Sequence, residues 1–555
     1  MEQATLAAFF GIVLCAVFFL RTFLLRGHRR AYNPPPGPKP WPIIGNLNLI
    51  GELPHRSIHE LSKRYGPLMQ LRFGSLPVVV GASAEIAKLF LKVNDAAFSD
   101  RPRFAVGKYT AYDCSDILWS PFGPYLRQAR RICATELFSA KRLESFEHIR
   151  DEEVRVLLRQ LRQASGRAVR LRDYLQMLTL GVISRIVLGK KYVQEAAAGD
   201  GEGDSSAPTV ITADEFREMV GEYFELHGVF NVGDFIPWLD CLDLQGYVAR
   251  MKRMNARFDR FLEHVLDVHN ERRRREGGSF VPKDMLDVLL QLADDTDLEV
   301  QLSRDNVKAI TQVANTYPPI RQYLDYFYFR QKYLTFRGIA LFGAQDLIVG
   351  ATDTTANTVE WAISELLKNS KIIAKAMEEL NNVVGPDRLV TESDLPRLPY
   401  LEALLKETMR VHPPAPLLAP HVAREDTSVD GYDVLAGTVV FVNVWAIGHD
   451  PALWDAPGEF RPERFLESKI DMRGQDFQLV PFGSGRRMCP GFNLALKVVA
   501  LGLANLLHGF QWRLPDGETA AELSMEEVFV LAMPRKFPLK AVVEPRLPAR
   551  LYMGD

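Results

Sequence analysis

The sequence predicts one large, mainly helical domain with small β-sheets. Apolar residues recur at three- and four-residue spacing along most of the chain from Ser57 onward, which is the periodicity of amphipathic helices. Strand signals are short and few: a hairpin at Leu68–Gly81 and a further strand at Thr438–Ile447. No internal repeat divides the 555 residues, so we expect a single body behind short terminal segments.

Composition excludes several classes of function. Apolar residues make up 47% of the chain and charged residues 25%, with a formal net charge of −2, so the chain has no electrostatic footprint for nucleic acid. Its five cysteines are odd in number and widely scattered, which argues against a disulfide framework or a zinc site. We therefore expect a reducing compartment and no nucleic-acid partner.

Residues 1–30 are predicted to form a membrane anchor with a basic flank. Ala4–Leu20 is an uncharged run of 17 residues, just long enough to span a bilayer. A cleaved signal peptide is the alternative, but Glu2 stands in place of a basic start and no small-residue cleavage site follows. The arginines after the span keep the rest of the chain on the cytoplasmic side; they are Arg21, Arg26, Arg29 and Arg30.

The body is predicted to begin after a proline-rich hinge at residues 31–46, whose prolines exclude helix and make a stiff spacer. It extends over residues 47–545 and is followed by a tail at residues 546–555. Within it, Glu195–Pro208 is polar and glycine-rich, which indicates a disordered surface loop without a chemical role.

The stretch Pro481–Gly491, "PFGSGRRMCPG", carries the clearest chemical signal. Its glycines let the backbone approach a flat cofactor, and Cys489 can supply a thiolate ligand to a metal. Arg487, two residues earlier, can balance a carboxylate of such a cofactor. An isolated cysteine would more often be an inert buried thiol.

The spacing Phe482-x-x-Gly485-x-Arg487-x-Cys489-x-Gly491 resembles the haem-binding loop of the cytochrome P-450 family. The resemblance extends from the anchor to about Val543 and implies the cytochrome P-450 fold. It also implies haem b as cofactor, with Cys489 as the axial thiolate of the iron. The other named positions of the loop would then contact the cofactor.

Two charged motifs resemble the family's Glu-Arg-Arg core. "KETMR" places Glu407 and Arg410 three residues apart on one helix face, and "FRPERF" supplies Arg464. Alone, such a pair is most often solvated. The resemblance implies instead that the three side chains meet and hold the haem loop in place, which is a structural role.

"GATDTT", Gly350–Thr355, resembles the family's oxygen-activation motif on the helix over the haem. An acid beside an alcohol disfavours a helix interior, because both side chains compete for backbone hydrogen bonds. The resemblance implies that Thr354 assists oxygen activation and that Asp353 supplies protons. The alternative is a pair of polar groups facing solvent. Ala351 departs from the usual glycine.

"YLRQARR", Tyr125–Arg131, resembles the helix that grips a haem propionate. It implies Arg130 as a propionate partner, together with Arg487 and His421. Two positions depart from the family pattern. Leu126 replaces a tryptophan and so lacks an N–H donor, and His449 replaces an arginine.

The whole pattern resembles plant microsomal monooxygenases that modify phenolics, flavonoids and terpenoids, which implies an endoplasmic reticulum membrane protein. The segments expected to contact substrate are mostly apolar: Ala105–Asp116, the helix before Thr354, Ala415–Pro420 and Val528–Ala532. No flavin or nicotinamide fingerprint is evident, so electrons must come from an NADPH-dependent flavoprotein reductase. The alternatives are a non-catalytic or misfolded haem-binding variant, and an isomerase or dehydratase, against which Asp353 and Thr354 argue.

Val313–Gln345 interrupts what otherwise resembles one helix of that family. Removing these 33 residues joins Gln312 to Asp346 and restores the apolar stripe from Ile310 to Leu347. The segment is rich in Tyr and Phe, whose codons are rich in A and T. It begins with Val313, whose codon starts with GT, and ends with Gln345, whose codon can end in AG. We therefore favour a retained intron over a genuine loop. A dominant transcript encoding all 33 residues would contradict the intron.

We expect the full-length chain to be less stable and less soluble than a form lacking Val313–Gln345. Loop closure itself costs little, but Tyr323–Phe329 brings aromatic side chains for which the remaining pattern provides no core. We also expect a helix from near Ile339 to near Asn369, with Val313–Arg337 protruding. Melting temperature and haem content compare the two forms, and equal values would show that the insertion is accommodated.

Overall fold

The structure, a computed structural model, describes residues 32–191, 193–194, 211–293 and 344–553. The predicted membrane anchor, the loop Glu195–Pro208 and residues 313–343 of the insertion lie outside the described residues. Helices make up most of the described chain and the strands are short, as the sequence predicts.

The α-helices of the described residues are numbered here in chain order. They are α1 Pro54–Tyr65, α2 Ala84–Lys88, α3 Ala105–Thr110, α4 Pro124–Ile132, α5 Ala140–Ser145, α6 Glu147–Gln163, α7 Leu171–Leu188, α8 Ala213–Gly228, α9 Val232–Phe235, α10 Tyr247–Glu276, α11 Met285–Ala293, α12 Ala344–Lys368, α13 Ser370–Val383, α14 Pro399–Val411, α15 Val444–Gly448, α16 Phe492–Gly509 and α17 Arg550–Met553.

The strands of the described residues form small sheets. They are β1 Leu68–Phe73, β2 Leu76–Gly81, β3 Ala168–Arg170, β4 Val193–Gln194, β5 Ile211–Thr212, β6 His421–Val422, β7 Thr427–Val429, β8 Tyr432–Val434, β9 Val439–Val442, β10 Phe510–Arg513 and β11 Lys540–Pro545. The largest sheet has the order β1-β2-β9-β6: β1 and β2 are the predicted hairpin, β2 pairs parallel with β9, and β6 pairs antiparallel with β9. A second sheet has the order β10-β11-β3.

One prediction about the strands was wrong in part. The strand expected over Thr438–Ile447 stops at Val442, and α15 begins two residues later. The reason is local: the side chain of Asn443 accepts a hydrogen bond from the amide of Ala446 at 3.0 Å, which caps a helix start. An apolar run does not distinguish a buried strand from a buried helix by itself.

Helix α12 is the element around which the helical body packs. It is buried along nearly all of its described length and packs chiefly against α7 and α16. The largest apolar core lies between these helices, α6 and α10. Of the part of the chain that is described, only α16 is long and apolar enough to cross a membrane, but 67% of it is buried inside the protein, as in a core helix.

The helix expected from near Ile339 to near Asn369 is present as α12, which begins at Ala344 among the described residues and ends at Lys368. The C-terminal boundary follows the prediction. Residues 339–343 and the excursion expected at Val313–Arg337 lie outside the described residues.

Glu407, Arg410 and Arg464 meet in one buried ion cluster. The carboxylate of Glu407 accepts from Arg410 Nε at 2.7 Å and from Arg464 Nε at 3.0 Å. The two guanidinium groups also donate to backbone carbonyls of the segment 448–459, which holds that segment against α14. Trp454 of this segment packs in the same apolar cluster as Phe482, so the ion cluster supports the loop Pro481–Gly491 from behind.

Replacing Glu407 by Gln is expected to destabilise the protein by about 3–5 kcal/mol, because two buried guanidinium groups lose their shared counter-charge. Denaturant unfolding measures the change. The control is Glu60→Gln on α1, whose side chain and that of its partner Lys63 are both more than half exposed, so little stability should be lost. Equal losses for the two variants would show that the buried cluster does not hold the fold.

Candidate active site

A cavity of about 320 Å³, called here the central cavity, lies between α12, the loop Pro481–Gly491 and the start of α16. Cys489 and Thr354 both line it. Most of its wall is apolar, and no described residue that lines it carries a carboxylate. The central cavity therefore brings the predicted metal ligand and the predicted oxygen-activation residue to one space.

The loop that carries Cys489 is held by its own backbone. The amide of Cys489 donates to the carbonyl of Phe482 at 2.9 Å, and the hydroxyl of Ser484 donates to the carbonyl of Gly474. Two residues after the cysteine, Gly491 caps the N-terminus of α16. These bonds fix the thiol at the cavity wall with Phe482 beside it.

The surroundings of the Cys489 thiol act on its pKa in opposite directions. Burial raises the pKa, while a hydrogen bond from the Gly491 amide and the charge of Arg130 lower it. The N-terminus of α16 adds a partial positive charge close to the sulfur. Amide donors aimed at the sulfur suit a ligating thiolate, whose charge they stabilise.

The glycines of the loop have different functions. Gly483 lines the central cavity with φ 69°, a conformation that favours glycine. Gly485 was predicted as a cofactor contact and does not line the cavity. A Cβ there would lie 2.1 Å from the carbonyl oxygen of Leu91, and the glycine permits that close packing. Gly491 lines the cavity but has an ordinary φ of −89°.

Three arginines contribute positive charge to the wall of the central cavity: Arg101, Arg130 and Arg487. Arg130 and Arg487 were predicted, whereas Arg101 was missed, because "SDRPR" matched no motif that we considered. Burial lowers the pKa of each guanidinium, that of Arg487 to about 10. The charges of Arg130 and Arg487 repel each other, which lowers the pKa of Arg487 further.

Backbone carbonyls satisfy part of each guanidinium. Arg101 donates to Leu118, Ala419 and Pro420, and Arg487 donates to Ser99, Ile117 and Ser120. Arg130 donates only to Met488, at 2.7 Å. The arginines are thus fixed in place, and N–H groups remain for an anion in the cavity.

His421 lines the central cavity, but its chemistry fits the predicted role poorly. Its Nδ1 lies 2.7 Å from the carbonyl of Phe98, and a carbonyl only accepts, so Nδ1 carries the hydrogen. Burial and the charge of Arg101 hold its pKa well below the usual value, so the ring is neutral. Nε2 can then only accept, and Arg101 is the better carboxylate partner.

Thr354 and Asp353 face different ways. Thr354 lines the central cavity and donates from Oγ1 to the carbonyl of Gly350 at 2.7 Å. Asp353 was expected over the cavity as well, but it does not line it: its Oδ1 accepts from Nε2 of Gln176 on α7 at 2.8 Å. The carboxyl of Asp353 is therefore directed to α7 rather than to the cavity. Burial raises the pKa of Asp353.

Three residues depart from the family pattern, and the structure shows what surrounds each of them. Leu126 is fully buried in the apolar core, and Ala351 lines the central cavity. His449 stacks on Trp445 with ring centroids 3.9 Å apart and bonds its carbonyl at 2.8 Å. Burial lowers the pKa of His449 to about 4, so a neutral ring replaces the usual arginine.

Three of the four segments predicted to contact substrate contribute residues to the wall of the central cavity. Residues of α12 before Thr354, of the segment 415–419 and Leu531 line the central cavity. Ala105–Asp116 contributes none, and Ile117 and Leu118, just beyond it, do so instead.

The residues present fit a haem group. An apolar cavity suits a flat hydrophobic ring, and the Cys489 thiol suits a metal at its centre. Asp100 and Asp116 act on the charges of Arg101 and Arg487 from outside the cavity wall, so the N–H groups that the arginines present inside the cavity suit two carboxylates at the edge of the ring.

Comparisons with known proteins agree with this geometry. The trimethyltridecatetraene synthase and the dimethylnonatriene synthase of Zea mays are each 46% identical to this chain, over 97% and 99% of it and 94% and 97% of their own lengths. The flavonoid 3'-monooxygenase of Petunia hybrida is 42% identical over 97% of both chains.

A solved zebra fish cytochrome P-450, determined with abiraterone, has the same fold: the TM-score is 0.64 at 25% identity, over 89% of this chain and all of the other. The sequence profile of the cytochrome P-450 family matches residues 35–316 and 318–540, and its one break, at Tyr317, falls inside the insertion. On the profile, the relatives and the fold together, this chain belongs to the cytochrome P-450 family.

Proposed function

We propose that the protein is a haem-thiolate monooxygenase that inserts one atom of O₂ into a small apolar secondary metabolite, most readily a terpenoid. The observation that carries the proposal is the central cavity itself. One apolar space brings together the Cys489 thiol, the Thr354 hydroxyl and three arginines that face no carboxylate there.

Cys489 would hold the haem iron, and Arg101, Arg130 and Arg487 would hold the haem carboxylates. When bound, the haem supplies oxygen binding and reductive activation of O₂. The residues around it have positioning roles. Phe482 and the glycine-rich backbone hold the thiolate, and amide donors near the sulfur stabilise its charge.

Thr354 and Asp353 would handle protons. The Thr354 hydroxyl gives its hydrogen to Gly350 and can therefore accept one from a water molecule in the cavity. Because burial raises the pKa of Asp353, a larger fraction of this carboxyl is protonated than of an ordinary carboxyl at the same pH. We infer that Asp353 exchanges protons with the cavity after its carboxyl leaves Gln176.

The cavity wall favours a substrate with few polar groups. Of the four threonines that line the cavity, Thr179, Thr354 and Thr358 donate their hydroxyl hydrogens to carbonyls of their own helices. Beside them the wall is formed by side chains such as Leu118, Phe224 and Val349. A site that selects a phenol needs dedicated donors and acceptors for its hydroxyl groups. This wall instead suits a hydrocarbon body.

The relatives support the same choice. The names of the two maize synthases denote the formation of branched, acyclic polyenes without polar groups. A flavonoid is the second candidate, because flavonoid 3'-monooxygenases are similar over nearly their whole length. The experiment is to express the protein with a reductase and to supply acyclic terpenoids and flavonoids in parallel. Oxygenated terpenoids are expected, and turnover of flavonoids alone would assign the second candidate.

We further infer that an NADPH-dependent flavoprotein reductase supplies the electrons and that residues 1–30 anchor the protein in the endoplasmic reticulum membrane. The lack of an evident flavin or nicotinamide fingerprint in the sequence supports the first inference. The apolar run Ala4–Leu20 supports the second.

Replacing Cys489 by Ser is expected to abolish the thiolate-haem absorption of the reduced, carbon monoxide-bound protein, because a serine oxygen does not replace the thiolate donor. Cys241→Ser, which removes an exposed thiol, is the control and should leave the spectrum unchanged. Survival of the thiolate signature in the Cys489 variant would show that another residue binds the iron.

Replacing Thr354 by Ala is expected to leave haem binding intact but to lower the share of NADPH electrons recovered in product by about tenfold or more, with hydrogen peroxide formed instead. Thr352→Ala is a matched control, since Thr352 is buried on the same helix and does not line the cavity. Product and peroxide are measured against NADPH consumed. Unchanged coupling in Thr354→Ala would remove this hydroxyl from the mechanism.

A further inference from the structure

A cluster of charged side chains lies where α7, α10 and α11 meet, away from the residues that the proposed function uses. It consists of His269 and Arg272 on α10, Asp284 just before α11 and Asp287 in the first turn of α11, and it is called here the junction cluster. The side chains of both aspartates are fully buried, and that of His269 is 3% exposed. Charges so far from water need partners within the protein.

Asp284 connects α11 to the end of α7. Its Oδ1 accepts from the amide of Asp287 at 2.8 Å, which caps the N-terminus of α11. Its Oδ2 would lie 2.4 Å from a Cβ on Gly189, the residue that ends α7 with a φ of 76°. A glycine there permits both the left-handed conformation and the close approach of the carboxylate. The same carboxylate is therefore packed against two helices and faces the third.

The hydrogen-bond partners of His269 call for a hydrogen on each ring nitrogen. Nδ1 lies 2.8 Å from the carbonyl oxygen of Val265, and Nε2 lies 3.2 Å from Oδ2 of Asp284. A carbonyl oxygen and an ionised carboxylate can only accept. A neutral imidazole has a single N–H and would satisfy only one of the two, whereas an imidazolium satisfies both. The geometry therefore matches the protonated ring.

The charges within the junction cluster balance only when His269 is protonated. Arg272 donates to Asp287 through Nη2, and its Nη1 lies 3.9 Å from Asp284 Oδ2. One guanidinium balances one of the two carboxylates, and the imidazolium balances the other. Burial lowers the pKa of His269, but the hydrogen bond to Asp284 and the negative charges of Asp284 and Asp287 outweigh burial and raise it.

Other charged side chains face the junction cluster across a cavity of about 480 Å³, called here the junction cavity. Its basic residues outside the cluster come from α5, α6, α7 and the segments that flank α11 and follow α7: Arg142, His148, Arg185, Lys190 and Lys283. Glu152 and Glu153 pair with Arg185, and Glu276 lies 3.8 Å from Nε of Arg272. His148, Lys190 and Lys283 are exposed, so the junction cavity reaches water and gives His269 access to protons.

A metal ion is the alternative occupant of the junction cluster. His269, Asp284 and Asp287 each offer one ligand atom, and these atoms lie within 4.8 Å of one another. Arg272 already brings a positive charge to both carboxylates, however, and would repel a divalent cation between them. A proton on His269 supplies the one missing charge without placing an ion against the guanidinium. The cluster therefore suits a proton better than a metal ion.

We propose that the junction cluster is a pH-dependent clamp, in which protonated His269 holds the start of α11 against α10 and the end of α7, and loss of that proton loosens the junction. The pKa of His269 is higher in the folded protein than its ordinary value of about 6.5. Its contribution to stability is therefore complete below that pH and is lost as pH rises through the folded pKa. The clamp bears on the central cavity through α7, because Thr179 and Ile183 of this helix line the cavity.

The test measures amide hydrogen exchange in the haem-loaded, full-length protein from about pH 6 to pH 9, across the range in which histidine loses its proton. Rates are corrected for the intrinsic effect of pH on exchange. Peptides that cover α11 report the junction, because the amides of Asp287 and Val288 bond to Asp284 there. Their protection should fall about tenfold for each unit by which folding raises the pKa of His269.

Two variants separate the proton on His269 from the packing around it. His269→Gln keeps an N–H donor but cannot be protonated, so α11 should show at every pH the lower protection that the wild type reaches at high pH. Asp284→Asn keeps an oxygen that caps α11 but removes the charge that raises the pKa of His269, so the loss of protection should move to lower pH. The second variant decides the matter if the first does not fold.

His148→Gln is the control, because His148 is an exposed imidazole that lines the same cavity. It should keep the wild-type dependence of α11 protection on pH. The proposal would be overturned by a wild-type protein whose corrected protection does not change with pH. It would equally be overturned if the loss of protection occurred at the same pH in the wild type and in either variant of the junction cluster.

Discussion

Buried positive charge around the central cavity is the constraint on which the site depends. Arg101, Arg130 and Arg487 line one apolar space without a facing carboxylate, and burial lowers the pKa of each. Their backbone hydrogen bonds link the haem loop to α4, to the segment 99–120 and to the carbonyls of residues 419–420. Asp100 and Asp116 offset part of this charge from outside the cavity wall, and an anionic cofactor would offset more of it and so stabilise these four segments together.

The sequence was sufficient where a function depends on a short, fixed spacing. The loop around Cys489 and the pair Glu407 and Arg410 are local patterns, and the structure places these side chains at the cavity and in the ion cluster behind it. The helical class and the first hairpin follow from periodicity in the same way. The loop, the ion pair and the hairpin each lie within 14 residues of sequence or fewer, so no knowledge of tertiary packing was needed.

The sequence was insufficient where a function depends on packing between distant segments. Gly485 permits close packing against Leu91, and the carboxyl of Asp353 accepts a hydrogen bond from Gln176 on α7. Arg101 enters the site only because its segment folds back on residues 419–420. None of these partners is near in sequence, so motif spacing could not identify them. Helix α12 is described from Ala344 onward and carries Thr354 at the cavity wall.

The most direct measurement of the central claim compares two cofactors that differ only in charge. The protein without haem is titrated with iron protoporphyrin IX and with its dimethyl ester, which keeps the ring and the iron but removes both carboxylates. If the three arginines bind those carboxylates, the free acid should bind at least about a hundredfold more tightly than the ester, since each charge-assisted hydrogen bond contributes about 1.5–3 kcal/mol. The free acid should also raise the melting temperature of the protein by more than the ester does. Equal affinity and equal stabilisation by the two cofactors would contradict the account.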